Sequence, residues 1–284
     1  MKRGPVEAYA HNGFVTVVDL IPKQVLLRLR ERLDAVLARQ YETGVYPDEA
    51  YYRPGSTLDN VPRHVVNAWK CDRLVARVAM SAELAAVAAH LLGWPSLRLA
   101  VDTVWYKPAA CAAVEFHREF EFFKSLAVPD VANCWIALDT MEKNNGSLEL
   151  AAGSHAWPDP EDAAMHKAFA VHKGRQALDA IGRLVGRVPE IHTVQCEAGA
   201  CTFFDGRIWH GSEPNRTKWA RRAFGVHWIR GDAELADNPH YLFGRYKLVG
   251  SRQLHESFWP IVWSADGYRT PWIDQFLAGG PLGG

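Results

Sequence analysis

The chain has no excess charge of either sign. Among 284 residues, 32 Lys and Arg balance 32 Asp and Glu. That balance offers no footprint for a nucleic-acid backbone or an anionic membrane surface, so neither is expected as a partner. No apolar run is read as reaching the roughly 20 residues of a membrane span. The start, Met1-Lys-Arg-Gly-Pro-Val-Glu7, is not followed by the apolar core of a secretion signal. Cysteine is scarce: five, at 71, 111, 134, 196 and 201, odd in number and scattered. They fit a reducing cytoplasm better than a disulfide framework. Cys196 and Cys201 lack the second pair that a zinc site would need and read as two buried thiols. Repeats, low-complexity tracts and a clear linker are missing as well. One domain over residues 1–284 is therefore expected, with 48% hydrophobic residues to build its core. Nothing in the chain sets an oligomeric state.

Aromatic residues, in contrast, are plentiful: 11 Trp, 9 Tyr and 12 Phe. Most must be core, and the surplus suits a pocket for a bulky organic molecule. Asn12-Gly13 reads as a turn and Phe14–Val18 as a short strand. A helix opening at 19–22, with Pro22 near its first turn, carries Leu26, Leu29, Leu33, Val36 and Leu37 on one stripe to about Arg39. Residues 41–64 hold Tyr41, Tyr46, Tyr51, Tyr52, Arg53 and Arg63 among Pro47, Pro54, Gly55 and Pro62. So long and aromatic an irregular segment reads as a lid over a site. A second helix runs from Ser81, a suitable N-cap, to Leu92, with Gly93 closing it.

From Leu97 the period changes to two. Segments 97–106, 114–122, 131–139, 147–151, 191–195, 200–204 and 221–229 read as strands of an antiparallel sandwich or barrel. The chain thus divides into a helical N-terminal part with its lid loop (1–95), a β core (96–230) and an aromatic C-terminal segment (231–284). The last includes His240, Tyr241, Phe243, Tyr246, Phe258, Trp259, Trp263, Tyr268 and Trp272. An insert at 156–187 reads as helical, or as a loop over the barrel mouth.

Within the β core, the stretch Phe116-His117-Arg118-Glu119-Phe120-Glu121-Phe122-Phe123 carries the chemistry. Alternation on a strand sends His117 and Glu119 to one side. A second histidine, His210, arriving from a later strand would complete two imidazoles and a carboxylate on one face of a metal, leaving the opposite positions open. Glu121 lies on the same expected face and is a competing ligand. Ser212, two residues after His210, and Arg221, eleven after it, supply a hydroxyl donor and a planar cation able to hold the far carboxylate of a dicarboxylic acid. Alternation sends Arg222 to the opposite, exposed face.

With these residues the chain resembles the phytanoyl-CoA dioxygenase (PhyH-like) family of Fe(II)/2-oxoglutarate oxygenases. Further matches are Trp105-Tyr-Lys-Pro108, Asn133-Cys-Trp-Ile-Ala-Leu-Asp139, Asn145-Gly-Ser-Leu148, Gly153-Ser-His155 and Thr202-Phe-Phe-Asp205. Their order and spacing extend the resemblance from about residue 9 to about residue 230. It implies a double-stranded β-helix, the cupin-like jelly roll, which periodicity alone does not distinguish from other sandwiches. It also implies His117, Glu119 and His210 as iron ligands, and Arg221 and Ser212 on 2-oxoglutarate. Lys107, Asn133 and Trp135 are implied beside the co-substrate or substrate. Glu119 departs from the commoner aspartate of the family by one methylene. His155 reads as a loop-fixing residue; His64 and His227 receive no role.

The resemblance implies Fe(II), 2-oxoglutarate and O2 as cofactor and co-substrates, with ascorbate as an auxiliary reductant. The expected reaction couples decarboxylation of 2-oxoglutarate, giving succinate and CO2, to hydroxylation of an unactivated C–H bond. A carboxylate at 119 disfavours halogenation, which needs a small residue there. The expected substrate is a bulky small molecule such as a secondary-metabolite intermediate. Two other classes use the same residues: a zinc hydrolase or lyase with a His/Glu/His site, and a cupin-like binding protein without turnover. Iron- and O2-dependent succinate formation separates both from the oxygenase.

Overall fold

The computed structural model of the protein describes residues 4–278 apart from 54, 238 and 240, so Pro54 and His240 lie outside the described residues. In chain order the helix α1 (Pro5–Asn12) precedes β1 (Phe14–Val17) and α2 (Lys23–Leu37). The strands β2 (Glu49–Ala50) and β3 (Arg63–Val66) arise in and after the aromatic loop, followed by α3 (Arg73–Ala79) and α4 (Ala82–Leu92). Next come β4 (Ser96–Lys107), β5 (Val114–His117), the short helical turn α5 (Glu119–Phe122), β6 (Ala132–Ala137) and β7 (Glu149–Ala151). Helices α6 (Asp162–Val171) and α7 (Gly174–Leu184) lead to β8 (Ile191–Thr193), β9 (Cys201–Asp205), β10 (His210–Ser212) and β11 (Arg221–Arg230). The chain ends in α8 (Tyr241–Gly244), β12 (Ile261–Ser264) and α9 (Trp272–Ala278).

All seven expected strands form, and they assemble into two antiparallel sheets of a jelly roll. The larger runs β1-β9-β6-β11-β4-β3-β2, with β12 also pairing β4; the smaller runs β5-β10-β7-β8. The strand expected over 114–122 stops at His117. Arg118 stays extended (φ −122°, ψ 137°), which keeps His117 and Glu119 on one side, and the chain then turns into α5. Glu121 therefore leaves that face. It pairs instead with Arg118 and Lys124, both at 2.5 Å.

The helices pack on the larger sheet. Leu26, Leu29, Leu33 and Val36 of α2 are buried, as their spacing predicts. The Asp72 carboxylate accepts from Leu74 N and Val75 N to start α3, and Ser81 Oγ accepts from Leu84 N to start α4. This break qualifies the expectation of no long apolar run. Arg73–Leu92 has the length and composition to cross a membrane. It is split at Met80–Ser81, however, and most of it packs inside the core. The helix α1 was not expected; Gly13, at φ 81°, closes it.

The 156–187 insert is helical but does not cover the mouth. Its Met165, Ala168, Leu178 and Ile181 pack with Phe116, Ala151 and Trp209, behind the smaller sheet. The aromatic loop is held by Asp48, which accepts hydrogen bonds from Lys70 and Tyr246, each at 2.8 Å. Tyr246 belongs to the C-terminal segment, so loop and C-terminal segment are buckled together.

Candidate active site

Pairing of the small sheet brings two histidines together. His210 stands opposite His117 in the β10–β5 register, their ring centroids 4.2 Å apart. Gly211, next to His210, allows the close approach of β10 to β5: a Cβ there would lie 2.8 Å from the Val114 carbonyl oxygen. His117 Nδ1 lies 2.8 Å from the Glu115 carbonyl oxygen, and His210 Nδ1 lies 3.1 Å from that of Ile208. Each Nδ1 therefore carries the proton, and each Nε2 presents a lone pair. The Glu119 Oε1 lies 3.7 Å from Nε2 of His117 and 3.4 Å from Nε2 of His210.

Three lone-pair donors within 4.8 Å of one another call for a cation between them, so this donor set fits a metal ion. Burial works against the Glu119 charge, but the imidazoles of His227, His117 and His210 outweigh it and hold the carboxyl well below its usual range. Burial pushes the His210 imidazole down from its ordinary value, favouring the neutral ring.

Beyond the triad lies a narrow chamber whose inner end is cationic. Lys107 and Arg221 are opposite one another in the β4–β11 register and are only 2% and 4% exposed. Lys107 Nζ donates to Ser212 Oγ at 2.8 Å and to the Glu213 carbonyl oxygen at 2.5 Å. Arg221 Nη2 donates to the Gly146 carbonyl oxygen, while its buried Nε has no partner. Neither cation pairs with a carboxylate among the described residues. Burial, then the Arg221 charge, pushes the Lys107 amine down to about 7, and burial pushes Arg221 down to about 10. Gly146 leaves the space open: at φ 70°, its Cβ would lie 2.9 Å from Lys107 Nζ. Two buried cations beside a hydroxyl, one guanidinium nitrogen unpartnered, fit the far carboxylate of a keto-diacid.

Asn133 and Trp135 line the same chamber. The Arg221 guanidinium lies 5.5 Å from the Trp135 ring centroid. Arg222 points away, as alternation predicts, and binds Asp34 and Asp139. His155 Nε2 contacts the Ala10 carbonyl oxygen at 3.3 Å, a loop-fixing role. Cys196 and Cys201 belong to no metal-binding group among the described residues, where the His117, Glu119 and His210 set is the one found.

Three residues had no assigned place. His227 lies six residues after Arg221, so strand alternation, which is legible in the sequence, puts both on the inward face. Trp105, two residues before Lys107, is inward for the same reason. His64 stands opposite Trp105 in the β3–β4 register, a pairing that only the fold supplies. All three line a larger cavity, about 890 Å³, that meets the inner chamber at His117, Glu119 and His227.

Comparison with known proteins gives this geometry a context. The family profile described as Phytanoyl-CoA dioxygenase (PhyH) matches residues 9–223. The L-proline trans-4-hydroxylase of Streptomyces griseoviridis is 25% identical over 230 residues, covering 75% of this chain and 81% of that one. Peroxisomal phytanoyl-CoA dioxygenase of Rattus norvegicus is 28% identical over 121 residues. That match covers 42% of this chain but only 34% of the rat protein. Among solved structures, the epimerase SnoN in complex with Fe3+, alpha ketoglutarate and nogalamycin RO superposes with a TM-score of 0.71 at 21% identity. There 91% of this chain and 97% of that one are covered.

Proposed function

The chain belongs to the phytanoyl-CoA dioxygenase (PhyH) family, and from that membership we propose an Fe(II)/2-oxoglutarate-dependent dioxygenase. Its reaction is hydroxylation of an unactivated C–H bond in a bulky small molecule, of the kind met in secondary metabolism. The carrying observation is that a three-ligand face and an unpaired couple of buried cations open on one chamber. Two matched proteins support the choice by their names: one hydroxylates L-proline, and one is crystallised with iron, alpha ketoglutarate and a nogalamycin compound. We also read residues 1–284 as one oxygenase domain. Five free thiols support a cytoplasmic location.

Bound iron would supply C–H hydroxylation with O2 as the oxidant and 2-oxoglutarate as the sacrificial reductant, one oxygen atom going to the substrate and the other to succinate, with loss of CO2. His117, Glu119 and His210 would hold the ion from one side, each imidazole oriented by the carbonyl behind it. Arg221 and Ser212 would bind the far carboxylate, with Lys107 adding a second positive charge. Trp105, Trp135, Leu148 and Phe204 wall the chamber and exclude water from it. The larger cavity opens on the other side of the ligand cluster, where a substrate C–H can be presented. The Glu119 carboxylate occupies the position a halide would need, so the product carries oxygen and not chlorine; chlorine in the turnover product would refute this.

The deciding experiment adds Fe(II) and 2-oxoglutarate under nitrogen and follows the weak visible charge-transfer band of a chelated keto-acid. Wild type develops the band and, on admitting O2, forms succinate. A zinc hydrolase or a silent binding protein does neither.

A further inference from the structure

The larger cavity carries evidence of what it admits. Six aromatic side chains, Tyr51, His64, Trp105, Phe122, Phe123 and Phe243, wall it. His64 lies between Tyr51 (centroids 4.2 Å, stacked) and Trp105 (4.8 Å), which continues this aromatic wall down to the ligand cluster. Lys124 is the cation lining the cavity, and Glu121 already neutralises it at 2.5 Å. The other charged groups there are carboxylates. Among the described residues, phosphate or carboxylate on a ligand finds no cation free of a carboxylate partner, whereas an apolar ring finds an extended surface.

One lining histidine, His227, is held in a fixed orientation. His227 is 8% exposed, and its Nδ1 lies 2.7 Å from Asn133 Oδ1. Asn133 is itself oriented, because its Nδ2 donates to the Phe204 carbonyl oxygen at 3.2 Å. This relay places the proton on Nδ1 of His227 and leaves Nε2 as an acceptor. That Nε2 has no protein partner among the described residues, on a side chain that borders both the inner chamber and the cavity. An acceptor held in one tautomer, on a buried side chain and without a protein partner, is a recognition element.

We propose that the cavity takes an uncharged, ring-containing molecule whose hydroxyl donates to Nε2 of His227, with Asn133 as the positioning residue that fixes this acceptor. The proposal rests on the oxygenase reading for the direction in which the substrate is presented, but its binding chemistry can be measured separately. The probes are 9-hydroxyphenanthrene, 9-methoxyphenanthrene and phenanthrene-9-carboxylate, titrated by their fluorescence into the metal-free protein and into the Fe(II)/2-oxoglutarate form under nitrogen. In both forms the hydroxyl compound is expected to bind at least tenfold tighter than the ether or the carboxylate. In His227→Phe, which keeps a ring but no acceptor, that preference is expected to shrink to within about twofold. Asn133→Leu, which frees the tautomer, provides the same test if His227→Phe does not fold. Tightest binding of the carboxylate would overturn the proposal, as would a hydroxyl preference that survives both variants, or no binding of any phenanthrene. Failure of the charge-transfer band would sink the oxygenase reading alone.

Discussion

Lys107 and Arg221 face each other across the β4–β11 pair, two buried cations with no carboxylate to share. Such an arrangement costs stability until an anion arrives. Lys107→Met is therefore expected to raise the melting temperature of the protein without co-substrate, while weakening 2-oxoglutarate about tenfold. Arg221→Ala should weaken it about a hundredfold, since charge-assisted hydrogen bonds contribute about 1.5–3 kcal/mol each. Titrating the charge-transfer band with 2-oxoglutarate, beside thermal melts, tests both. Unchanged affinity in Arg221→Ala would place the co-substrate elsewhere.

The same pair makes binding depend on pH. Burial and the Arg221 charge bring Lys107 down to about 7 from an ordinary 10.5. A bound dianion favours the ammonium form, so above pH 7 binding is coupled to proton uptake. The 2-oxoglutarate affinity should then fall with rising pH, by up to about tenfold per unit. The sign for stability is opposite. Between pH 7 and 10.5 the unfolded chain holds the proton that the folded chain lacks, so the co-substrate-free protein gains stability as pH rises through that window. Calorimetry in buffers of different ionisation enthalpy detects the proton; a pH-independent affinity contradicts the expectation.

Removal of a ligand side chain separates metal binding from folding. His117→Ala, Glu119→Ala and His210→Ala should each lower Fe(II) or Co(II) affinity by at least a hundredfold. The metal-dependent rise in melting temperature expected of wild type, which follows mass action, should vanish with it. Glu119→Asp, one methylene shorter, should retain weakened binding. Tight binding in all three alanine variants would exclude this site.

Arg118, between two of those ligands, is buried and points the other way. Its guanidinium donates to Asp159 of the insert and to Glu121, both at 2.5 Å, and lies 5.0 Å from the ring centroid of Trp209, the neighbour of His210. It thereby ties both ligand-bearing segments from behind. Arg118→Met is expected to lower metal affinity about 10- to 100-fold, the range for supporting contacts behind metal ligands. Asp159→Asn should do so more mildly. Competition with a chelator measures this; a lowered melting temperature with unchanged metal affinity would limit Arg118 to a structural role.

Much of the site was legible because strands impose a period of two. His117 and Glu119, Arg221 against Arg222, and the inward set of Lys107 with Trp105 all follow from alternation, and the helix over Lys23–Leu37 follows from its leucine stripe. Local pattern could not reveal that the strand ends at His117. There the Phe120 amide is taken by Gly206, a partner 86 positions away, and the backbone turns helical. The helical insert was likewise recognisable while its place was not, because only the assembled sheet shows which face Phe116 and Trp209 leave to be covered.

The sequence by itself determined the residue types and their side of each strand: two imidazoles, one carboxylate, an arginine, a lysine and a serine at spacings that suit an iron and a keto-diacid. Tertiary structure alone decided which of them meet. The His210–His117 register, the Lys107–Arg221 juxtaposition and the Asn133–His227 relay each join residues far apart in the chain. Such contacts depend on strand pairing and burial, and local periodicity carries no information about which distant strand becomes a neighbour.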